Sequence, residues 1–210
     1  STRVRSSAAS DVYKEGTDGG GLGCINENWE LVHQFTAGGA NSIPHNNVKS
    51  ICYDRENDYL YIGTHLGGLS RYDFQKKSFY NYLEHQLENT PAPRHFIYQV
   101  KMWNGKLYLS SREGVFQLDP VTNHFTFLFK PESYCINFDI DAEGNFYANQ
   151  ADRVVIVPLS DLLKEDSQAA GYGLEGQHIA CAGEKDGAYI CTLGSGLLYY
   201  DRNTRKMIVY

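Results

Sequence analysis

The sequence lacks any apolar run long enough to cross a membrane as a helix, and no signal peptide stands at its start. If the chain comes from a membrane-anchored protein, we expect the anchor to lie in parts outside these 210 residues. A surplus of basic residues is also missing, because 19 Lys and Arg stand against 25 Asp and Glu, a net charge of −6. This balance argues against a nucleic-acid partner, which requires a basic face.

Cysteine is scarce, and its five residues do not form a disulfide framework, because their number is odd and they lie within strand-like patterns. A bridge between Cys181 and Cys191, which flank the turn at Asp186 and Gly187, stays open as one alternative. The favoured alternative is that these cysteines are small apolar residues of the core. Cysteine usage therefore does not decide the compartment.

Catalytic motifs are missing as well. No His/Glu pair has the spacing of a zinc protease, no serine stands in a nucleophile elbow, and no Cys/His spacing suits a metal. Asp139 and Asp141 share a strand face, but Asp141 aligns with the turn residue Asp54 and is expected to cap a turn. We therefore expect no catalytic residues, no metal site and no cofactor in this segment.

One glycine-rich stretch matches the dinucleotide-binding pattern G-x-G-x-x-G, at residues 171–176. That site needs a strand before the pattern and a helix after it, so that the helix N-terminus receives the pyrophosphate. Here a short helix over residues 161–165, capped by Ser160, is predicted before the pattern, and a strand after it. We therefore interpret residues 171–176 as an irregular connection and not as a nucleotide site.

What the sequence does contain is a succession of short strand patterns rich in β-branched and aromatic residues. Residues 48–73 read as strand, polar turn, strand, glycine turn and strand, and residues 79–82 add a fourth strand. A hydrophobic content of 42%, with 16 Tyr and 10 Phe, suits sheets better than helices. The pattern predicts an all-β fold made of four-stranded antiparallel meanders.

The meander recurs along the chain. A small residue near the end of the second strand returns at spacings of 47, 47, 38 and 43 residues, at Gly16, Gly63, Ser110, Ala148 and Cys191. A period of roughly 40–50 residues with four strands is typical of β-propeller blades, which must stack because one meander cannot bury both faces. The small residues should let neighbouring blades approach closely. We predict five blades, over residues 1–36, 37–83, 84–130, 131–159 and 160–210.

The second repeat carries a family resemblance. Residues 41–48 read NSIPHNNV, residues 61–64 read YIGT and residues 67–73 read GGLSRYD, which resembles the two-component regulator propeller repeat. The first and fifth repeats match in part, at residues 16–22 and 192–201, whereas the third and fourth have diverged. Such repeats build the extracytoplasmic sensor of hybrid two-component histidine kinases.

The resemblance implies a periplasmic sensor that recognises an oligosaccharide and controls polysaccharide-utilisation genes, with the kinase in other parts of the protein. It also implies seven-bladed propellers, of which this chain would be a fragment. Two alternatives remain from other classes of function. One is a protein-interaction propeller without a small ligand, and the other is a propeller enzyme acting on glycans.

A candidate ligand site emerges from the repeat. The residue after each Gly-Thr-like pair lies in the turn between the second and third strands, on the face that also carries the crossings between blades. These turn residues are Asp18, His65, Arg112, Gln150 and Leu193, and the nearby crossing residues are His45, Arg94, His95 and Tyr134. Mixed donors and acceptors beside aromatic rings suit a polyhydroxylated ligand, although plain surface turns are the alternative.

The number of repeats bears on assembly. The last repeat already supplies its own four strands, ending at residues 207–210, whereas the first strand of blade one is ambiguous because residues 7–10 have poor strand propensity. No terminal strand is therefore left over to close a five-bladed ring. We therefore expect an open arc, which exposes two apolar blade faces and should self-associate through blades one and five or dock onto the remainder of the same sensor.

Overall fold

The computed structural model describes residues 3–5, 13–16, 19–85, 92–130, 135, 137–150, 153–162, 171–173, 177–184, 186–193 and 196–210. They form two compact units, Ser1–Phe127 and Leu128–Tyr210. The strands are β1 (Arg3–Arg5), β2 (Tyr13–Gly16), β3 (Leu22–Ile25), β4 (Leu31–Phe35), β5 (Val48–Asp54), β6 (Tyr59–Thr64), β7 (Leu69–Asp73), β8 (Ser78–Asn81), β9 (Ile97–Trp103), β10 (Lys106–Ser111), β11 (Val115–Asp119), β12 (His124–Phe129), β13 (Asn137–Ile140), β14 (Asn145–Asn149), β15 (Arg153–Pro158), β16 (Gly171–Gly173), β17 (Gln177–Glu184), β18 (Gly187–Leu193), β19 (Gly196–Asp201) and β20 (Lys206–Val209).

The predicted all-β fold is confirmed. The twenty strands form five successive antiparallel sheets of four strands each, from β1–β4 to β17–β20. The strands of each sheet follow one another in chain order, so each sheet is a meander. The ambiguous stretch near the start supplies the first strand of blade one, where Arg3 pairs with Glu15. Helix in the described part is limited to α1 (Leu159–Leu162) and a 3-10 turn at Tyr82–His85. Neither of these has the length and apolarity that a membrane-crossing helix needs.

The connection after blade four differs from the prediction. Gly171–Gly173 is a strand rather than irregular, and it pairs with β15 as the fourth strand of its sheet. The sheet of blade four therefore extends past residue 159. The short helix begins at Leu159, whose N–H donates to the carbonyl of Gly144 at 2.9 Å, so Ser160 lies inside the helix and is not its cap. Residues 163–170 and 174–176 lie outside the described residues.

Close packing between blades two and three confirms the expected role of the small residue at Gly63. A Cβ added to Gly63 would stand 2.6 Å from Cγ2 of Ile97 in β9, too near for any side chain. Next to it, the hydroxyl of Ser50 accepts the N–H of Val100 at 3.1 Å. A buried apolar cluster that includes Tyr61 and Leu107 fills the rest of this junction.

Within the second unit, Asp141 ties blades four and five together. Its Oδ1 accepts the N–H of Asn145 at 2.8 Å, which confirms the predicted turn-capping role. Its Oδ2 accepts the Tyr147 hydroxyl at 3.0 Å and Nη1 of Arg202, from blade five, at 2.7 Å. Cys191 of blade five is a free, exposed thiol, so the bridge to Cys181 is not formed.

Candidate functional site

The turns between second and third strands lie at the same end of the sheets as the crossings. The N–H of His65 donates to the carbonyl of Asn47 at 2.9 Å, and the N–H of Arg112 donates to that of Phe96 at 3.2 Å. Asn47 and Phe96 each stand immediately before the first strand of their blade. The same backbone contact is thus repeated in blades two and three, as the repeat predicts.

Phe96 brings two of the predicted site residues together. Its ring lies 4.6 Å from the imidazole of His65, edge to face, and the guanidinium of Arg112 stands 5.5 Å from its centroid. We call His65, Phe96 and Arg112 the turn cluster. Within the described part of the chain, the side chains of His65 and Arg112 make no hydrogen bond or ion pair. Their donors are therefore available to a ligand.

The other predicted residues divide into four groups. Arg94 and His95 are exposed in the crossing that leads to Phe96, so they extend the turn cluster along that loop. His45 is engaged in its own loop, where Nδ1 accepts the N–H of Asn47 at 3.0 Å. Gln150 is buried in the second unit, and its N–H donates to the carbonyl of Arg153. The side chains outside the described residues are those of Asp18, Tyr134 and Leu193.

Phe96 is the residue that sequence reasoning missed. The repeat phrase draws attention to the turns, whereas Phe96 lies in a crossing and has Asn47, a polar residue, at the matching position of blade two. The available signal was that a large aromatic residue directly precedes the apolar start of β9. Half-buried between two polar side chains, it supplies the apolar surface that the site otherwise lacks.

The turn cluster offers a cation and an imidazole that both lie against one aromatic ring. Hydroxyl and anionic groups of a ligand can accept from Arg112 and His65, and an apolar ligand face can pack against the ring. Glu113, next in sequence to Arg112, adds a carboxylate whose Oε2 is buried without a hydrogen-bond partner in the described part. Over that same part, no three His, Cys, Asp or Glu residues converge as a metal site would require.

Comparison with known proteins finds the fold and not a close relative. No family model matches the chain, and no curated protein matches it in sequence. The extracellular domain of a proposed hybrid two-component system, BT3049 of B. thetaiotaomicron, aligns with a TM-score of 0.74 at 16% identity. The alignment covers 97% of this chain and 27% of that one. The chain is built from β-propeller blades.

Two further structures are similar. PorZ, a surface component of the type-IX secretion system of Porphyromonas gingivalis, aligns with a TM-score of 0.73 at 13% identity over 95% of this chain and 32% of its own. The extracellular domain of a proposed one-component system of B. thetaiotaomicron, BT4673, aligns with a TM-score of 0.55 at 16% identity over 99% and 36%. The chain thus spans about a third of the length of these proteins. At these identities the likeness is one of fold.

Proposed function

We propose that this segment is a ligand-sensing extracytoplasmic domain of a hybrid two-component sensor histidine kinase, and that it recognises an oligosaccharide. The observation that supports the proposal is the likeness in fold, over nearly the whole chain, to extracellular domains of proposed two-component and one-component systems. The regulator-propeller repeat in residues 41–73 points the same way. The location would be periplasmic, with the membrane span and the kinase in other parts of the protein.

The turn cluster is the proposed contact with the sugar. His65 belongs to blade two and Arg112 to blade three, so a ligand that hydrogen-bonds to both side chains joins two blades. Binding then favours the arrangement of the sensor for which the ligand has the higher affinity, and this shift changes the output of the kinase. The genes under its control would be those for polysaccharide utilisation.

The test is the loss of binding in Arg112→Ala. Because the side chain is exposed and unpaired among the described residues, the substitution should leave the fold intact while it removes a donor to the ligand. We expect calorimetry with a panel of oligosaccharides to show affinity reduced by about tenfold or more, as for a charge-assisted hydrogen bond of 1.5–3 kcal/mol. Arg205→Ala, which removes an exposed arginine from the last blade, is the matched control.

Three results would redirect the proposal. Unchanged affinity in Arg112→Ala would move the site away from the turn cluster. An absence of binding to every oligosaccharide would favour a platform for protein partners. Turnover of a glycan, abolished by a chelator or by substitution of a carboxylate pair, would favour a propeller enzyme.

A further inference from the structure

A second concave surface lies between blades one and two, away from the turn cluster. It has a volume of about 450 Å³, within the range of small-molecule sites. Blade one contributes residues 33–35 of β4 and part of the crossing that follows, and blade two contributes Tyr72, Lys77 and Phe79. We call this surface the blade 1–2 groove. Asp and Glu are absent from the described residues that line it.

The base of the groove is aromatic and preformed. The rings of Phe35, Tyr72 and Phe79 are half-buried, with centroids 4.8 to 5.2 Å apart. Asn41 holds the wall in place, because its Nδ2 donates to the carbonyl of Lys77 at 3.0 Å and its Oδ1 accepts the N–H of Phe79 at 2.7 Å. The imidazole of His33 stands edge-on to Phe35 at 4.4 Å.

Three polar groups stand around this base without a partner in the described part of the chain. Among the described residues, the His33 imidazole, the Tyr72 hydroxyl and the Lys77 ammonium make no hydrogen bond or ion pair. Burial raises the pKa of Tyr72, so its hydroxyl stays protonated at neutral pH and can both donate and accept. The inner side of the aromatic base packs against the apolar core between blades one and two. The rings stay half-buried, and an aromatic base with donors around it is the composition of a ligand site.

The junction between blades two and three shows what a closed version of this surface looks like. Nη1 of Arg71 donates to Oδ1 of Asn123 at 3.2 Å, and the hydroxyl of Tyr82 donates to the same oxygen at 3.1 Å. The guanidinium of Arg71 also packs over the rings of Tyr59 and Tyr80, at 4.4 and 5.1 Å from their centroids. Side chains of the protein itself thus occupy that junction.

The blade 1–2 groove has lost each part of this closure. Forty-seven residues before Arg71 and Tyr82 stand Cys24 and Phe35, which supply neither the guanidinium nor the hydroxyl. The counterpart of Asn123 is Lys77, because both precede the fourth strand of their blade with a positive φ, 56° and 54°. A lysine there cannot accept a hydrogen bond. The sequence differences therefore leave the groove open and place a cation at its edge.

We infer that the blade 1–2 groove is a binding site for an acidic sugar, a hydroxyl-rich ligand that carries a carboxylate or sulfate. The aromatic base suits the apolar face of a pyranose ring, and His33, Tyr72 and Lys77 supply donors for its hydroxyls. The anionic group pairs with the Lys77 ammonium, since no carboxylate in the described lining competes for it. The inference does not depend on the turn cluster.

The experiment titrates the 210-residue chain by calorimetry with tetragalacturonate, a mannuronate tetramer and a heparin tetrasaccharide. At least one should bind saturably, and Lys77→Gln should weaken that binding about tenfold or more. Lys76→Gln is the matched control, because it removes the same charge from the neighbouring lysine, which does not line the groove. The methyl ester of the uronate tetramer has the same length but no charge. The natural chain should bind this ester about as weakly as Lys77→Gln binds the acid.

A second variant is designed to fill the groove with side chains while the sheets stay folded. Cys24→Arg with Phe35→Tyr and Lys77→Asn copies the network of the next junction and should abolish binding, while near-ultraviolet circular dichroism reports the fold. Absence of saturable binding by all three acidic sugars, or binding that Lys77→Gln leaves unchanged, overturns the inference. Loss in Arg112→Ala but not in Lys77→Gln overturns it too, and supports the turn cluster instead. Loss in Lys77→Gln alone supports the groove and counts against the turn cluster.

Discussion

In each of blades two, three and five, the third strand ends at an aspartate. Oδ1 of Asp73, Asp119 and Asp201 each accepts the backbone N–H groups two and three residues further on. These donors hold the pKa of Asp73 and Asp201 below the ordinary range, the N–H of Lys76 and of Thr204 contributing most. For Asp119 the Lys106 ammonium, 2.6 Å away, contributes most. The repeated residue is thus a turn cap that works in its charged form.

This cap predicts a dependence of stability on acid. Because the folded-state pKa lies below the ordinary Asp value of about 4, the contribution is fully present above that value and is lost as the pH falls through the lowered one. Asp201→Ala should therefore lower the urea midpoint at pH 7 and show a smaller further loss than the natural chain between pH 4 and 2. Glu27→Ala, which removes an exposed carboxylate from a turn, is the control and should behave as the natural chain does.

Asp141 predicts a larger effect, because its side chain is only 1% exposed and pairs with Arg202. Asp141→Ala should lower the free energy of unfolding by about 3 kcal/mol, the low end for a broken buried pair, since Arg202 keeps some solvent contact. Urea denaturation at pH 7 measures it. The double variant Asp141→Ala with Arg202→Met should lose less free energy of unfolding than the two single variants lose in sum. Strict additivity would count against the pairing.

At the scale of the element, the strands were predictable because the repeat shows which residues must be equivalent. A spacing of 47 residues from Gly16 to Gly63, and again to Ser110, predicts the first three blades from the sequence alone. The fourth strand of blade four was missed because Gly171 and Gly173 weaken the strand pattern, and its partner β15 is distant in sequence. Pairing in the sheet outweighs local propensity there.

The site was less predictable than the blades. His65 and Arg112 follow from the repeat, but the contact that joins them runs through Phe96, which belongs to no repeated phrase. The blade 1–2 groove was not predicted from the sequence, because it depends on a difference between repeats. Blade one has Cys24 where the next blade has Arg71. A search for likeness between repeats finds the framework, whereas open surfaces arise where the likeness fails.

The contact between blades two and three gives the prediction at this scale. Gly63→Ala should lower the free energy of unfolding by about 1–3 kcal/mol, because the added Cβ overlaps Cγ2 of Ile97. Ile97→Ala removes that methyl group. The double variant should therefore lose less free energy of unfolding than the two single variants lose in sum. Gly39→Ala is the control, since its Cβ would meet Ser42 at an ordinary 3.7 Å. A cost in Gly39→Ala equal to that in Gly63→Ala would argue against the overlap as the cause.

In the whole molecule, the outer face of blade five carries apolar side chains that are exposed. Residues 128 positions after buried or half-buried members of blade two are exposed there: Tyr189 by 38%, Leu197 by 38%, Ile208 by 43% and Tyr210 by 71%, against 0% for Tyr61, 1% for Leu69 and 3% for Tyr82. In blade two the matching face packs against blade three. The same register positions thus form a blade contact in one case and an apolar surface in the other.

Such a surface predicts association of the chain with a second copy of itself. The face is built like an established blade contact, and a contiguous apolar sheet face is larger than monomers usually leave in water. We expect sedimentation velocity to show a concentration-dependent dimer or larger species, and Ile208→Lys to shift it to monomer. Val121→Lys is the control, because Val121 is 84% exposed in a turn outside this face and should leave the association unchanged.

The outcome also bears on the expected open arc, which stays a prediction. A uniform monomer at high concentration would contradict the association and favour a closed five-bladed ring, since closure covers terminal faces that an arc leaves bare. Association that Ile208→Lys leaves intact would move the contact to another surface, for example the exposed Leu31 and Val32 of blade one. Only association that Ile208→Lys abolishes and Val121→Lys preserves identifies the outer face of blade five as the contact.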